Sequence, residues 1–180
     1  QGKWVLSLDA DEALSPGLIE EIKQIIFSAA VSSEAYAIKR VSFFAGKKIR
    51  YGDWSADKVV RLFRRLATIR FTPSMVHEHL IGYQRLATLK QVIFHNTMKD
   101  MSQVLMKLES YSSYGAQLAY QQHKKSSLLK AIGHSFWCFI RGYLLRLGFL
   151  DGREGFILAI SNALGVFYRY VKLIYLYELG

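Results

Sequence analysis

The chain has 180 residues, 51% apolar and 14% aromatic, yet it carries a formal net charge of +10. That length corresponds to about one domain with a real core, and a basic, aromatic-rich composition points to a polyanion or an anionic membrane surface as partner. The single cysteine, Cys138, excludes an internal disulfide and fits a reducing compartment, while no zinc-finger, KH or RRM signature supports nucleic-acid binding.

The chain opens on Trp4-Val5-Leu6-Ser7-Leu8, with Trp4, Leu6 and Leu8 on one side and Val5 and Ser7 on the other. This alternation predicts a mostly buried β-strand. With no initiating Met and no basic leader before a core-like strand, the chain is expected to be a fragment. The strand runs into Asp9-Ala10-Asp11-Glu12. In an open α/β sheet, ligands bind beyond the carboxyl ends of the strands. Two aspartates at i, i+2 across a tight turn can aim oxygens at one hard cation, Mg²⁺ or Mn²⁺, which uses one or two carboxylates plus substrate phosphates. The alternative is that they cap the next helix. That helix, however, has its own start in Ser15-Pro16, with Leu18, Ile19, Ile22, Ile25 and Ile26 behind it, and is expected to reach about Ala30.

Ala35 to Phe44 reads as a strand that Gly46-Lys47-Lys48 turns back into Ile49-Arg50-Tyr51. A loop over Gly52 to Asp57 carries Trp54, whose ring could stack on a ligand or be a buried structural tryptophan. Lys58 to Arg65 is a strand with Arg61, Arg64 and Arg65 spread over both faces. A buried guanidinium needs a partner and can hold a phosphate or carboxylate through two parallel hydrogen bonds. These arginines are therefore candidates for a diphosphate or a phosphorylated acceptor; a solvated edge strand guarded by charge is the alternative. In His77-Glu78-His79, extended chain puts both histidines on the face opposite Glu78, so the three do not form one metal cluster.

Arg85 to His95 predicts another strand, and the spacing of Met101, Val104, Leu105, Leu108, Tyr111, Gly115 and Leu118 predicts an amphipathic helix over about Asp100 to Gln122. His79, His95, His123 and His134 read as structural or surface residues. From Leu128 the chain is helical, broken at Gly148 to Gly152. Cations outnumber acids there, and many aromatics lie among them. The longest uncharged run, Gly155 to Tyr168, falls short of the ~20 apolar residues that cross a bilayer, so the tail reads as interfacial. A soluble helical cover or an oligomer face is the alternative. The expected division is residues 1–98, α/β, and 99–180, helical.

Three motifs carry a resemblance. Trp4 to Glu12 followed by the Ser-Pro-x-Leu helix start resembles the D-x-D segment of family-2 glycosyltransferases with a GT-A fold. Gly52 to Arg65, G-x-W-x-x-D-x-x-x-R-L-F-R-R, and Val76-His77-Glu78 are similar to further hallmarks of that family's lipopolysaccharide-core glucosyltransferase branch. The resemblance implies an α/β fold, the C-terminal portion of a GT-A (Rossmann-like) unit followed by an amphipathic helical tail. It implies that Asp9, Asp11 and His77 hold Mg²⁺ or Mn²⁺ with the diphosphate of a nucleotide-sugar, UDP-hexose foremost. Glu78 is then the general base, with Asp57 its rival, and Trp54, Arg61, Arg64 and Arg65 contact donor or acceptor. A hexose would pass with inversion to a lipopolysaccharide-core or other lipid-linked acceptor, at the cytoplasmic face of a bacterial inner membrane that the protein binds peripherally. Two features depart from the pattern. The nucleotide-binding half that precedes the D-x-D strand in the family is absent, so the chain alone is expected to be inactive. No Pro precedes Asp57. The rival from another class is a non-catalytic membrane-surface binding module; a nucleic-acid binder rests on charge alone.

Overall fold

The computed structural model describes residues 2–28, 31–55, 57–72 and 79–179. In chain order the strands and α-helices are β1 (Trp4–Leu6), β2 (Glu12–Leu14), α1 (Pro16–Phe27), β3 (Ala35–Phe44), β4 (Lys47–Lys48), β5 (Asp57–Arg64), β6 (Arg70–Phe71), β7 (Leu80–Ile81), β8 (Leu86–Met98), α2 (Met101–Gln121), α3 (Leu128–Ile140) and α4 (Arg153–Leu179). The fold is mixed α/β. It divides into two units: residues 1–42 with 56–96, and residues 43–55 with 97–180.

The first unit is built on a sheet of order β1-β5-β3-β8-β2, in which the β1–β5, β3–β5 and β2–β8 pairs are antiparallel. Side-chain alternation feeds two apolar layers. On one face Tyr36, Ile38, Leu62, Leu89 and Ile93 bury themselves with Leu18 and Ile22 of α1, and Trp4, Leu6 and Val59 pack around them. On the other face Ala35 and Phe63 pack with Leu80, Val5, Val60 and Ile69. In β5, Leu62 and Val59 therefore share a face, and so do Phe63 and Val60, which strict alternation forbids. A β-bulge resolves this: Tyr36 pairs with Leu62 but Ala37 with Val60, leaving Arg61 as the extra residue.

α1 starts where the sequence predicts, with the Ser15 hydroxyl accepting the Leu18 N–H at 3.3 Å and Pro16 in the first turn. It ends at Phe27, earlier than expected, with Ser28 at its C-cap. β1 is also shorter than expected and half-buried rather than mostly buried, because it is an edge strand. Leu8, beyond it, is 40% exposed. Glu12–Leu14 adds a strand at the opposite edge, pairing with His95, Phe94 and Ile93.

The second unit gathers the Phe43-Phe44/Lys47-Lys48 hairpin and the loop after it with the helices. Phe44, Ile49, Met98, Val104 and Leu158 form its core. The Asp100 carboxylate caps α2 by accepting the Gln103 N–H, and the Gln103 side chain accepts the Lys99 N–H in return. α3 is capped by Ser127 and runs into one π-helical turn, Arg141–Leu145. The chain then reverses through left-handed Leu147 (φ 58°) and a 3-10 turn, Gly148–Asp151. A Cβ on Gly155 would sit 1.9 Å from the Gly148 carbonyl oxygen, so the reversal packs backbone on backbone. Buried carboxylates fasten it. Asp151 accepts the Arg50 and Tyr51 N–H groups at 3.0 and 2.8 Å, and Asp53 takes Arg141 and Arg146 at 2.9 and 2.6 Å.

α4 packs against α2 and α3. At 27 residues it is long and apolar enough to cross a membrane by length and composition, with 22% of its most apolar stretch buried. This corrects the expectation that every tail helix is too short to span: the helix continues well past Tyr168.

Two predictions follow from this packing. Leu62 is fully buried, so Leu62→Ala should lower unfolding free energy by about 2–5 kcal/mol, measured by urea denaturation. In the second unit, the hydrogen bond from Lys47 chiefly, with its own backbone N–H and Arg153 assisting, lowers the Glu154 carboxyl from 4.5 to about 2. A depressed value stabilises the folded state above the ordinary pKa and loses that contribution as pH falls through the folded one. Thermal midpoints should therefore drop between pH 4.5 and about 2, and Lys47→Met should flatten that part of the profile.

Candidate active site at the exit of the first strand

β1 and β2 lie at opposite edges of the sheet, yet only residues 7–11 separate them. Five flat strands at about 4.8 Å spacing would put those edges about 19 Å apart, the full reach of so short a segment. The segment contains a turn, the Glu12 N–H bonding the Asp9 carbonyl at 3.0 Å, so the sheet must curl to let its edges approach. The acidic run consequently passes the three inner strands, and each of them supplies it a partner.

From β5, Arg61 bonds the Asp9 carboxylate and the Glu12 carboxylate, the latter at 2.8 Å. From β3, Arg40 reaches Glu12 at 3.4 Å and holds Asp57 with two bonds, at 3.0 and 2.6 Å. From β8, His95 Nε2 lies 3.1 Å from Asp11 Oδ2. The bulge is what makes the first contact possible, since the extra residue re-aims the Arg61 side chain. Its backbone is held too, the Arg61 carbonyl accepting the Ser7 N–H at 2.8 Å. Glu12 has no exposed side-chain surface, and it also accepts the Asp9 N–H at 3.1 Å. Two guanidiniums and a backbone donor thus meet the charge of a carboxylate withdrawn from water.

The same contacts set the titration of the neighbours. Burial opposes the Arg40 charge, but the bonds and fields of Asp57 and Glu12 outweigh it and raise its pKa. Burial and the Arg40 charge push His95 below its ordinary value, against the pull of Asp11.

The structure thus brings together Asp9, Asp11, Asp57 and Arg61 of the predicted site residues. Arg64 points elsewhere: it donates to the Val31 carbonyl at 2.6 Å and lies 5.1 Å over the Trp4 ring. Arg65 is exposed just beyond β5, its N–H on the Lys3 carbonyl. Trp54 belongs to the second unit, where its indole N–H donates to Asn162 at 3.1 Å. His77 and Glu78 lie outside the described residues. Sequence reasoning missed Glu12, Arg40 and His95. A carboxylate adjoining the D-x-D pair and a cation following Tyr36 and Ile38 on one strand face were the signals available for the first two.

Asp9 and Asp11 are hard oxygen donors, and the bonds above use only Oδ2 of each. They fit a divalent cation held jointly with substrate phosphates, although among the described residues no group of three or more His, Cys, Asp or Glu is arranged to hold an ion alone. Arg61 Nε is buried without an acceptor, and the guanidinium makes its bonds to Asp9 and Glu12 through Nη2. Removing Glu12 would take one of two carboxylate partners from each of Arg40 and Arg61, leaving them Asp57 and Asp9. Glu12→Ala should therefore cost about 1–3 kcal/mol, measured by denaturant unfolding, with Glu12→Gln, which keeps an acceptor for the two arginines, losing less.

Proteins of known description align along nearly the whole chain. An uncharacterized glycosyltransferase of Rickettsia prowazekii (strain Madrid E) is 29% identical over 179 residues, covering 94% of this chain and 61% of the relative. Proteins of the same description from Rickettsia typhi (strain ATCC VR-144 / Wilmington) and Rickettsia conorii (strain ATCC VR-613 / Malish 7) are each 28% identical over 94% of this chain, covering 61% and 64% of their own lengths. No protein-family model matches the chain, and no solved structure does. The chain spans just over three fifths of the curated relatives it is similar to.

Proposed function

We propose that this chain carries the metal and acceptor elements of a glycosyltransferase, one that moves a hexose from a nucleotide-sugar to a lipid-linked, lipopolysaccharide-core-like acceptor. The observation that carries the reading is the likeness, across nearly all of the chain, to proteins described as glycosyltransferases. The acidic turn held at the strand exit supports it with a site of suitable chemistry.

On this reading Asp9 and Asp11, with His77, would hold Mg²⁺ or Mn²⁺ and through it the donor diphosphate. The metal would supply charge neutralisation for the leaving group. Arg61, with Arg64 and Arg65, would offer positive charge to the diphosphate or to acceptor phosphates. The acceptor hydroxyl oxygen bonds to the anomeric carbon as the bond to the diphosphate oxygen breaks, with the electron pair leaving on the diphosphate and the hydroxyl proton passing to a carboxylate. Attack opposite the leaving group inverts the anomeric centre. Both oxygens of Asp57 are engaged by Arg40, which favours Glu78 as the base. UDP-hexose is the donor that the resemblance implies. With such an acceptor, the resemblance implies that the reaction would run at the cytoplasmic face of a bacterial inner membrane.

The second reading, a non-catalytic membrane-surface module, draws on the exposed apolar side chains of the helical unit, among them Phe136, Trp137 and Leu145. One experiment separates the two. The protein in its full natural length is assayed for nucleoside diphosphate release from a panel of nucleotide-sugars with Mn²⁺, Mg²⁺ or EDTA. Release that requires metal, vanishes in Asp11→Ala and falls about 10²- to 10⁴-fold in Glu78→Gln is the expected result. No release from any donor with any metal, from protein that still binds anionic vesicles, would leave the module.

A further inference from the structure

The second unit contains a cleft of about 530 Å³ where α2, α3 and α4 meet. Lys124, Lys125, Lys130 and Arg169 line it, with His134 and Tyr170, and no carboxylate does. Among the described residues, none of those four cations has a carboxylate within ion-pair distance; the nearby Lys172 is the one that pairs, with Glu109. Like charges around one concavity raise the free energy of the protein unless an anion joins them, and the same field draws anions in.

The cleft is held in shape. The His134 and Tyr170 rings stack at 4.8 Å with an interplanar angle of 8°, and the Arg169 guanidinium lies 4.9 Å over the Tyr170 ring. Gly115 makes room for this arrangement, since a Cβ there would come within 2.7 Å of Arg169 Cδ. His123, in the left-handed region at φ 55°, ends α2 and turns the chain toward Lys124 and Lys125. α3 begins between Lys125 and Lys130, so the positive end of its dipole adds to the same field.

The surroundings narrow the ligand class. An apolar stripe runs along α3 from the edge of the cleft: Leu128, Leu129, Ile132 and Phe136, with Leu129 82% and Phe136 65% exposed. A cation-lined cleft beside an exposed apolar stripe matches a headgroup phosphate continued by acyl chains.

We propose that this cleft is a phosphate-ester site, separate from the acidic turn, that seats the phosphate of an anionic lipid while the α3 stripe meets the hydrocarbon. The assignment does not depend on the transferase reading, because neither Asp9 nor Asp11 takes part in it.

The test uses the full-length natural protein with Lys130→Gln and Arg169→Gln, and with Lys48→Gln as an exposed control of equal charge change on β4. Flotation is measured with vesicles of phosphatidylcholine alone and of phosphatidylcholine with phosphatidic acid, and a thermal-shift titration uses inorganic phosphate and pyrophosphate. Each cleft substitution should weaken binding to phosphatidic-acid vesicles by about fivefold or more, with Lys48→Gln near wild type. Leu129→Ser should weaken it as well while leaving the folded circular dichroism spectrum unchanged. Phosphate or pyrophosphate shifts that disappear in the cleft variants, without cleft-dependent flotation, would keep the phosphate site but assign it to a soluble ester and overturn the lipid. Equal loss in Lys48→Gln and the cleft variants, with no cleft-dependent shift, would overturn the site, leaving only the diffuse attraction of a basic protein.

Discussion

The first unit depends on one buried charge. Glu12 has no exposed side-chain surface, and a carboxylate taken that far from water is tolerable only where opposite charge and hydrogen-bond donors surround it. Arg61, Arg40 and the Asp9 N–H do this. Each has a consequence beyond neutralisation. The Asp9 N–H closes the acidic turn on itself, so the positions of Asp9 and Asp11 are set by the residue after them. Arg40 carries the contact across to Asp57, its cross-strand neighbour in the register. Arg61 reaches Glu12 because β5 bulges at that residue, and the same bulge switches the side-chain alternation that sends Val60 and Val59 to their two apolar layers. Site and core share one irregularity.

The second unit solves a similar problem by a different device. Asp151 is 5% exposed and takes two backbone N–H groups, those of Arg50 and Tyr51, whereas Asp53 takes two guanidiniums. These anchor a loop from the middle of the chain to the turn between α3 and α4. Because Gly155 lets that turn approach within backbone distance, the helices on either side are fixed closely while their outer faces stay apolar and open. A unit with a rigid joint and an uncovered apolar exterior is suited to meeting a surface that supplies the missing burial.

What the sequence made legible was what neighbouring residues decide among themselves. The Ser15-Pro16 start of α1, the Asp100 cap of α2, and the strands at Ala35–Phe44 and Asp57–Arg64 all stand close to where alternation and capping chemistry put them. The misses are non-local. β2 is three residues long and exists through its pairing with β8, so no pattern of its own could announce it. The β5 bulge is visible only against β3. Lone arginines such as Arg40 look alike in sequence whether they guard an edge or neutralise a buried acid. His95 reads as an ordinary strand histidine until its β2 partner strand brings Asp11 beside it. For the site, the D-x-D pair and Arg61 could be read from residue type and spacing, while Glu12, which positions them, was hidden because burial is decided by the fold.

Charge balance in the acidic turn bears on the order in which ligands would join it. Asp9, Glu12 and Asp57 are met by Arg40 and Arg61, and Asp11 by His95, so four carboxylates face two guanidiniums and the cluster stays anionic while His95 is neutral. A diphosphate approaching that surface alone would be repelled. A divalent cation would be attracted, and held by Asp9 and Asp11 it would cancel the remaining excess of negative charge. On the proposed reading, the donor is then bound as a metal–diphosphate complex rather than as a free anion. The arginines serve first to keep the carboxylates in place. An excess of acid over base at a site for a phosphorylated substrate is thus consistent with metal-borne recognition, and most of the basic excess of the protein lies on the helical unit.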